Sequence, residues 1–312
     1  MEAIHRLEEL TFPELDALDR DRTVVIFAVS PLEEHGPHLP LGVDAFTADY
    51  FARAMAERIV TERHGWAVVL APPLHIGSWL FDAPGSIRIR QRTLRNLLVE
   101  YGSSLAKHGF KYVLISNGHA GPGHLVALEE AADIVSRRYG VSMASFTGRL
   151  AHGLLHGEFL EDIERHLGRP LTDEERAAFR DDRHAGKWET SMMLWLHPEL
   201  VRANYRELPP TRFSLRERMT PHYPVRQGNR LGYVGSPALA SVEFAQASAR
   251  ALLDAGMALV NLLLDGQFRA KDSHSFFYRL LIFRTNFWPY LCAGALILAG
   301  LLAFYLWKGG YL

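Results

Sequence analysis

Four short apolar, β-prone runs set the limits on what this chain can become. They are Thr23–Val29 (TVVIFAV), Ala67–Leu74 (AVVLAPPL), residues 112–118 (YVLISNG) and residues 141–147 (VSMASFT). Apolar residues run continuously along them instead of alternating with polar ones, the pattern of strands covered on both faces. Residues 45–62, Gln91–Lys107 and 125–139 lie between them and carry helical periodicity. Alternation of such strands and helices predicts an α/β chain: a three-layer α/β/α arrangement around a mainly parallel sheet. Residues 150–183 read as helical and charged, an insertion or a lid. There "PLTDEERAAF" places an N-cap at Thr172 with acids in the first turn. A turn at Ala185-Gly186 leads into a helix from Lys187, and the loop "GYVGSP" into a long helix from about Ala240.

The C-terminal part differs in kind. Residues 287–307, "FWPYLCAGALILAGLLAFYLW", contain no charge. At about 1.5 Å rise per residue this run matches a hydrocarbon core of roughly 30 Å. Trp288, Tyr290, Tyr305 and Trp307 sit at its two ends like an interfacial aromatic belt. A buried core helix is the competing reading, but apolarity on all sides favours a membrane span. Arg269, Lys271, Arg279 and Arg284 precede it and only Lys308 follows. The positive-inside rule then puts the N-terminal part in the cytoplasm, tethered to the cell membrane by a C-terminal tail anchor. Residues 266–286 read as a basic, aromatic linker.

Composition narrows the rest. A net charge of -1 gives no footprint for a nucleic-acid partner. One cysteine, Cys292, excludes an intramolecular disulfide framework. The N-terminus, acidic and amphipathic, lacks the basic and apolar regions of a signal peptide. Fifteen histidines are many for 312 residues, and histidine is the commonest metal ligand as well as a proton carrier near neutral pH.

Their placement carries the chemistry. "PLEEHGPHLP" follows the run Thr23–Val29 directly, and "NGHAGPGH" follows the third run. Both therefore sit at carboxyl ends of parallel strands, the edge where open α/β sheets bind ligands. The first loop offers Glu33, His35 and Asp44, a carboxylate–imidazole set suited to Zn²⁺, Mn²⁺ or Fe²⁺, with Asp44 able to bridge two ions. The second offers His119 between Gly118 and Gly121. Any one such histidine is more often bonded to backbone in a turn, and His38 and His124 are read that way. Four remote candidates together favour a metal. A third cluster, "DDRHAGKWETSMMLWL", places His184 before a helix and Glu189 in its first turn. The alternative there is a capped surface helix; the functional reading is a proton-transfer histidine and a further metal carboxylate. Ser78 and Trp188 are candidates for the substrate pocket. No Ser-based elbow and no Walker A motif is present.

These motifs resemble the creatininase family of metal-dependent amidohydrolases. The family pattern E-Q-H-G-P-H-L-P with a following T-D, then N-G-H-G-G-N, then H-A-G-x-x-E-T-S, is met here by "EEHGPHLPLGVD", "NGHAGPGH" and "HAGKWETS". The likeness spans about residues 6–265, includes "PPLHIGSWLFDAPGSIRI" and "GYVGSPALASVEFAQ", and marks residues 1–265 as the hydrolase domain. The resemblance implies two divalent ions held by Glu33, His35, Asp44 and His119, with Asp44 bridging. His184 falls on the histidine thought to shuttle a proton. Where the family's namesake has a glutamate two residues after the second-motif histidine, this chain has Gly121, so Glu189 is expected to supply that carboxylate. Glu34 replaces the usual glutamine and Pro122 the usual asparagine; both leave the metal scaffold standing, and creatinine itself is not implied as the substrate. The expected activity is hydrolysis of a small amide or small-peptide C–N bond by a metal-activated water. Members similar to this chain include a peptidase that trims a redox-cofactor precursor, and members are often hexamers. A non-catalytic metal-binding scaffold at the membrane is the alternative from another class.

Overall fold

The structure is a computed structural model and describes residues 3–212 and 231–308. Its strands are β1 (Ile4–Arg6), β2 (Thr23–Val29), β3 (Ala67–Leu74), β4 (Tyr112–Ser116) and β5 (Ser142–Ser145). They form one five-stranded sheet in the order β1-β3-β2-β4-β5, and every pairing is parallel. All seven residues of the central strand β2 are buried. Val25, Phe27 and Val29 face one apolar layer, and Val24 and Ile26 face the other. The unbroken apolar run is thus the signature of a strand with helices on both sides.

The helices are α1 (Phe12–Asp16), α2 (Val43–Glu62), α3 (Gln91–Lys107), α4 (Pro122–Tyr139), α5 (Thr147–Leu155), α6 (Leu160–Leu167), α7 (Asp173–Asp181), α8 (Lys187–Leu196), α9 (Val242–Leu264), α10 (Phe276–Arg279) and α11 (Phe287–Lys308). Helices α3 and α4 cover one face of the sheet through Leu94, Leu98, Ala127 and Leu128. Helices α2 and α9 cover the other through Ala52, Ala56, Ile59, Met257 and Val260. The helix after β2 and the helix after the adjacent β4 therefore leave on opposite faces. That divergence opens a crevice at the carboxyl ends of the two strands, where ligand sites in such sheets are placed.

Three local differences from the sequence expectation have simple causes. The third strand ends at Ser116 because the Asn117 side chain folds onto the next turn, donating from Nδ2 to the His119 carbonyl (2.6 Å) while Oδ1 accepts from the His119 amide (2.9 Å). Helix α4 starts earlier, at Pro122, whose missing N–H is no loss in a first turn. Strand β1 is only three residues long and half-exposed, too short for a periodic signal.

The helical region 150–183 holds three short helices, and α7 begins at the expected N-cap, Thr172, which forms a capping box with Glu175. Ile163, Leu171 and Phe179 from this region pack against Phe244 and Leu252 of α9. Among the described residues, two helices are long and apolar enough to cross a membrane, α9 and α11. In α9 most of the apolar window is buried and serves the core, whereas α11 buries none of its residues.

The segment before α11 lies against α4. Ser275 donates from its amide (2.9 Å) and hydroxyl (3.0 Å) to the Glu129 carboxylate. His274 and Tyr278 both bond Asp133. Arg284 stacks its guanidinium 3.2 Å from the Tyr278 ring centre and lies 3.8 Å from Glu130. Gln91, at the start of α3, donates to the Phe283 carbonyl (2.8 Å) and to Thr285 Oγ1 (3.0 Å).

Candidate metal centre

The loop after β2 turns back so that Glu33 and His35 point into the crevice, and α2 starts early enough to put Asp44 in its first turn. Glu33, His35 and Asp44 are each no more than 1 % exposed. Two carboxylates in so dry a place are costly unless something positive meets them. The loop after β4 brings His119 to the same point. Ser30 holds the two loops together, donating to Asn117 Oδ1 (2.9 Å) and accepting from the Gly118 amide (2.7 Å). Gly118 is required by close approach: a Cβ there would lie 2.3 Å from the Asp44 carbonyl oxygen. Glu189, in the first turn of α8, closes the cluster from a third direction.

The distances divide these side chains into two sets that share Asp44. His35 Nε2 lies 3.3 Å from Asp44 Oδ1 and 3.7 Å from Glu189 Oε2. His119 Nδ1 lies 3.1 Å from Glu33 Oε2 and 3.1 Å from Asp44 Oδ2. Donors held about 2.1 Å from one tetrahedral ion are about 3.4 Å apart, so each set has the spacing of a coordination shell. Glu33 Oε2, His35 Nε2 and Asp44 Oδ2 are buried with no hydrogen-bond partner. Buried polar atoms are ordinarily satisfied, and a cation is the species these converging lone pairs fit.

The remaining atoms of the cluster are used to aim it. His35 donates from Nδ1 to the Glu33 carbonyl (3.0 Å), which leaves its Nε2 lone pair facing Asp44. The Phe81 amide holds Glu33 Oε1 at 2.5 Å, and the Ala185 amide holds Glu189 Oε2. Burial works against charge on His35, yet Asp44 and Glu189 outweigh it and raise its pKa to about 10. Burial likewise opposes protonation of His119, but Glu33 and Asp44 hold it well above its ordinary value. The field that draws protons here would draw metal cations.

His184 sits at the rim. It precedes α8 in a short antiparallel bridge to Val234, followed by Ala185 at φ +48°. Its Nε2 lies 2.7 Å from the Glu34 carbonyl and its ring centre 4.4 Å from that of His35. Asp182 anchors the start of α8 by accepting from the Lys187 (2.9 Å) and Trp188 (2.7 Å) amides.

His38 and His124 are both fully buried and neutral in character. Burial, then the charge of His35, takes His38 down to about 4, and it pairs with Thr190 Oγ1 at 2.9 Å. His124 bonds Asn117 Oδ1 at 3.0 Å. Both act as struts that bond side chains, where the sequence suggested turn histidines bonded to backbone. Trp188 borders the cavity beside the cluster and donates its indole N–H to Ser248 (3.2 Å). Ser78 lies elsewhere: it is 2 % exposed, its amide faces His124 Nδ1 at 3.4 Å, and it does not line that cavity. Sequence reasoning missed Phe81, Asn117, Ser30 and Asp182. Asn117, Asp182 and Phe81 lie within the stretches "NGHAGPGH", "DDRHAGKWETSMMLWL" and "PPLHIGSWLFDAPGSIRI" but had no role assigned, and nothing local marked Ser30.

Fold and site together define a three-layer α/β chain with a buried cluster of candidate metal ligands at the carboxyl edge of its sheet. The sequence matches the creatininase family, described as creatinine amidohydrolase, over residues 8–260, and the chain belongs to that family. It is 31 % identical over 183 residues to the mycofactocin precursor peptide peptidase of Mycobacterium ulcerans, covering 57 % of this chain and 60 % of that protein. It is 26 % identical over 201 residues to the creatinine amidohydrolase of Pseudomonas putida, covering 62 % and 72 %. The match thus spans about three-fifths of the first of these curated relatives. Among solved structures, a substituted creatininase in complex with creatine superimposes with a TM-score of 0.61 at 22 % identity, covering 83 % of this chain and 98 % of that one. A manganese creatininase gives 0.60 at 23 % identity, covering 82 % and 97 %.

Proposed function

We propose that the chain is a metal-dependent amidohydrolase that cleaves a small amide or small-peptide C–N bond at a dinuclear centre. One observation carries the reading: Asp44 presents one carboxylate oxygen to each of two histidine–carboxylate sets. His35 and Glu189 would hold one ion, Glu33 and His119 the other, with Asp44 between them. When bound, a pair of divalent ions supplies a water of lowered pKa and a Lewis acid for the carbonyl.

The protein's own part is positioning and proton transfer. Glu33, Asp44 and Glu189 together offset much of the charge of two divalent cations. The backbone amides of Phe81 and Ala185 keep two of these carboxylates from swinging away. With Nε2 of His184 bonded to the Glu34 carbonyl, Nδ1 is the nitrogen left to pass a proton to the departing amine. Phe81 covers the His184 ring at a centroid distance of 4.6 Å and limits water there.

The similarity to a precursor-peptide peptidase supports a small peptide as one form of the substrate, and the similarity to a creatinine amidohydrolase supports a small amide. The ions are Zn, Mn or Fe by ligand type, and the creatininase neighbours include manganese and zinc–zinc forms. The apolar helix α11, free of charge over residues 287–307, supports a single-pass C-terminal anchor with the hydrolase domain on the cytoplasmic side, and a homo-oligomer, such as a hexamer, would bring several anchors to one membrane. The test pairs metal analysis with an amide-hydrolysis screen of the full chain. Two ions per chain and turnover abolished by His184→Ala support the enzyme. Two ions with no turnover on a broad amide panel would favour a metal-binding scaffold at the membrane.

A further inference from the structure

The metal cluster opens on one side into a cavity of about 130 Å³. Its near end is formed by Gly118, His184 and Glu189. From there it runs between α2, α5 and α9, along Phe51, Leu114, Phe146, Leu154 and Leu252. Leu114, Phe146, Leu154 and Leu252 are themselves 8 % exposed or less, so this wall is part of the folded core and not a surface groove. Thr47, Ser116, Thr147, Asp182 and Arg183 also line the cavity, but the wall just named is hydrocarbon, and wetting such a wall is unfavourable. An apolar cavity of roughly 150 Å³ accommodates one benzene ring, which sets the scale of the occupant.

We infer that this cavity takes one aromatic or branched aliphatic group carried next to the scissile amide, and so selects amides bearing such a group. The inference rests on the amidohydrolase reading for the word amide, and on the cavity alone for the apolar group. In the reaction water adds across the C–N bond, giving a carboxylic acid and an amine, while the apolar group stays seated and unchanged. Its burial holds the carbonyl carbon beside the Asp44 cluster and His184. Ala151 and Leu155, two partly exposed residues of α5 that line the cavity, are the positions where added bulk would fill it with least disturbance of the core.

The experiment has two readouts on the metal-loaded full chain. In the first, toluene binding is followed by ligand-observed NMR in wild type, Ala151→Phe and Leu155→Trp, with circular dichroism to certify folding. Binding in wild type that falls at least tenfold in a folded variant is expected. No binding, or binding that neither variant alters, overturns the inference. In the second, hydrolysis of N-acetylglycinamide, N-acetylleucinamide and N-acetylphenylalaninamide is compared. A kcat/KM for the leucine or phenylalanine compound at least tenfold above the glycine compound is expected, since a few buried carbons are worth that much in such a pocket. Equal or reversed preference overturns the substrate class. If none is cleaved while toluene binds as expected, the amide reading falls and the apolar site stands.

Discussion

His184 Nε2 lies 2.7 Å from the backbone carbonyl of Glu34 and 3.7 Å from the Oε1 of its carboxylate. The position where this chain departs from the glutamine of the family pattern therefore meets the proposed proton-transfer histidine first through its main chain. The Glu34 side chain is turned to the Gly36 amide, 3.0 Å from Oε2. Glu34→Gln keeps the carbonyl bond and is expected to leave activity within about tenfold of wild type. His184→Ala is expected to lose activity by about 10²–10⁴-fold with metal content unchanged. Steady-state kinetics with metal analysis separates the two. A Glu34→Gln loss as large as that of His184→Ala would mean that the carboxylate, not the carbonyl, sets the histidine.

Metal stoichiometry tests the shared carboxylate. Wild type is expected to retain two ions per chain after gel filtration. His35→Ala and His119→Ala are each expected to retain one, and Asp44→Ala fewer than one. Elemental analysis of the purified proteins gives the numbers. An Asp44→Ala protein that still holds two ions would remove the bridge from the mechanism.

Gly118 should be irreplaceable at its position. Its Cβ would fall 2.3 Å from the Asp44 carbonyl, against backbone that cannot rotate away. Gly118→Ala is expected to cost about 1–3 kcal/mol of stability, as overpacking does, and to weaken metal retention because it pushes apart the two loops that meet at Asp44. Denaturant unfolding and metal analysis read both effects, and a fully stable, metal-replete Gly118→Ala would contradict the packing described.

The docked segment before α11 should make stability depend on pH. Burial raises the Glu129 carboxyl to about 8 from an ordinary 4.5, despite the two bonds from Ser275. Between those values the folded chain keeps a proton that the unfolded chain has released. Stability should then fall as pH rises through that window and level off above it. Glu129→Gln removes the titrating group and should flatten this part of the curve. Unfolding of the detergent-solubilised chain between pH 5 and 9 tests it; a slope unchanged in Glu129→Gln would place its origin elsewhere.

Helix α11 should hold the chain at the bilayer. The full chain is expected to pellet with membranes, resist a carbonate wash and enter solution with detergent. Recovery in the soluble fraction without detergent would end the anchor reading. The basic residues that suggested its orientation are not all free, since Arg284 stacks on Tyr278 and approaches Glu130. A protease-protection assay is therefore the direct measure of sidedness, with the hydrolase domain expected to be accessible from the cytoplasmic face.

Much of this was legible in the residues themselves. The continuous apolar runs fixed the buried parallel strands, because a strand covered on both faces leaves no room for polar alternation. The loops that follow β2 and β4 could be placed on one edge by the same reasoning, and with them Glu33, His35, Asp44 and His119. The shape of the segment before α11 was not legible. Its basic and aromatic composition reads as a linker, whereas its packing depends on Glu129, Asp133 and Gln91, which are more than a hundred residues away in the chain. Ser78 was similarly ambiguous, since a serine in a loop gives no sign of which way it faces.

The sequence alone determined four of the five strands, the edge that carries the chemistry, and which residue types could bind metal there, since all three follow from local pattern and side-chain chemistry. Only the tertiary structure decided that Asp44 stands between two sets, that His184 is held by the Glu34 carbonyl, and that an apolar cavity adjoins the cluster. Each of these depends on contacts between segments far apart in the chain, and their distances are set by how the helices pack on the sheet.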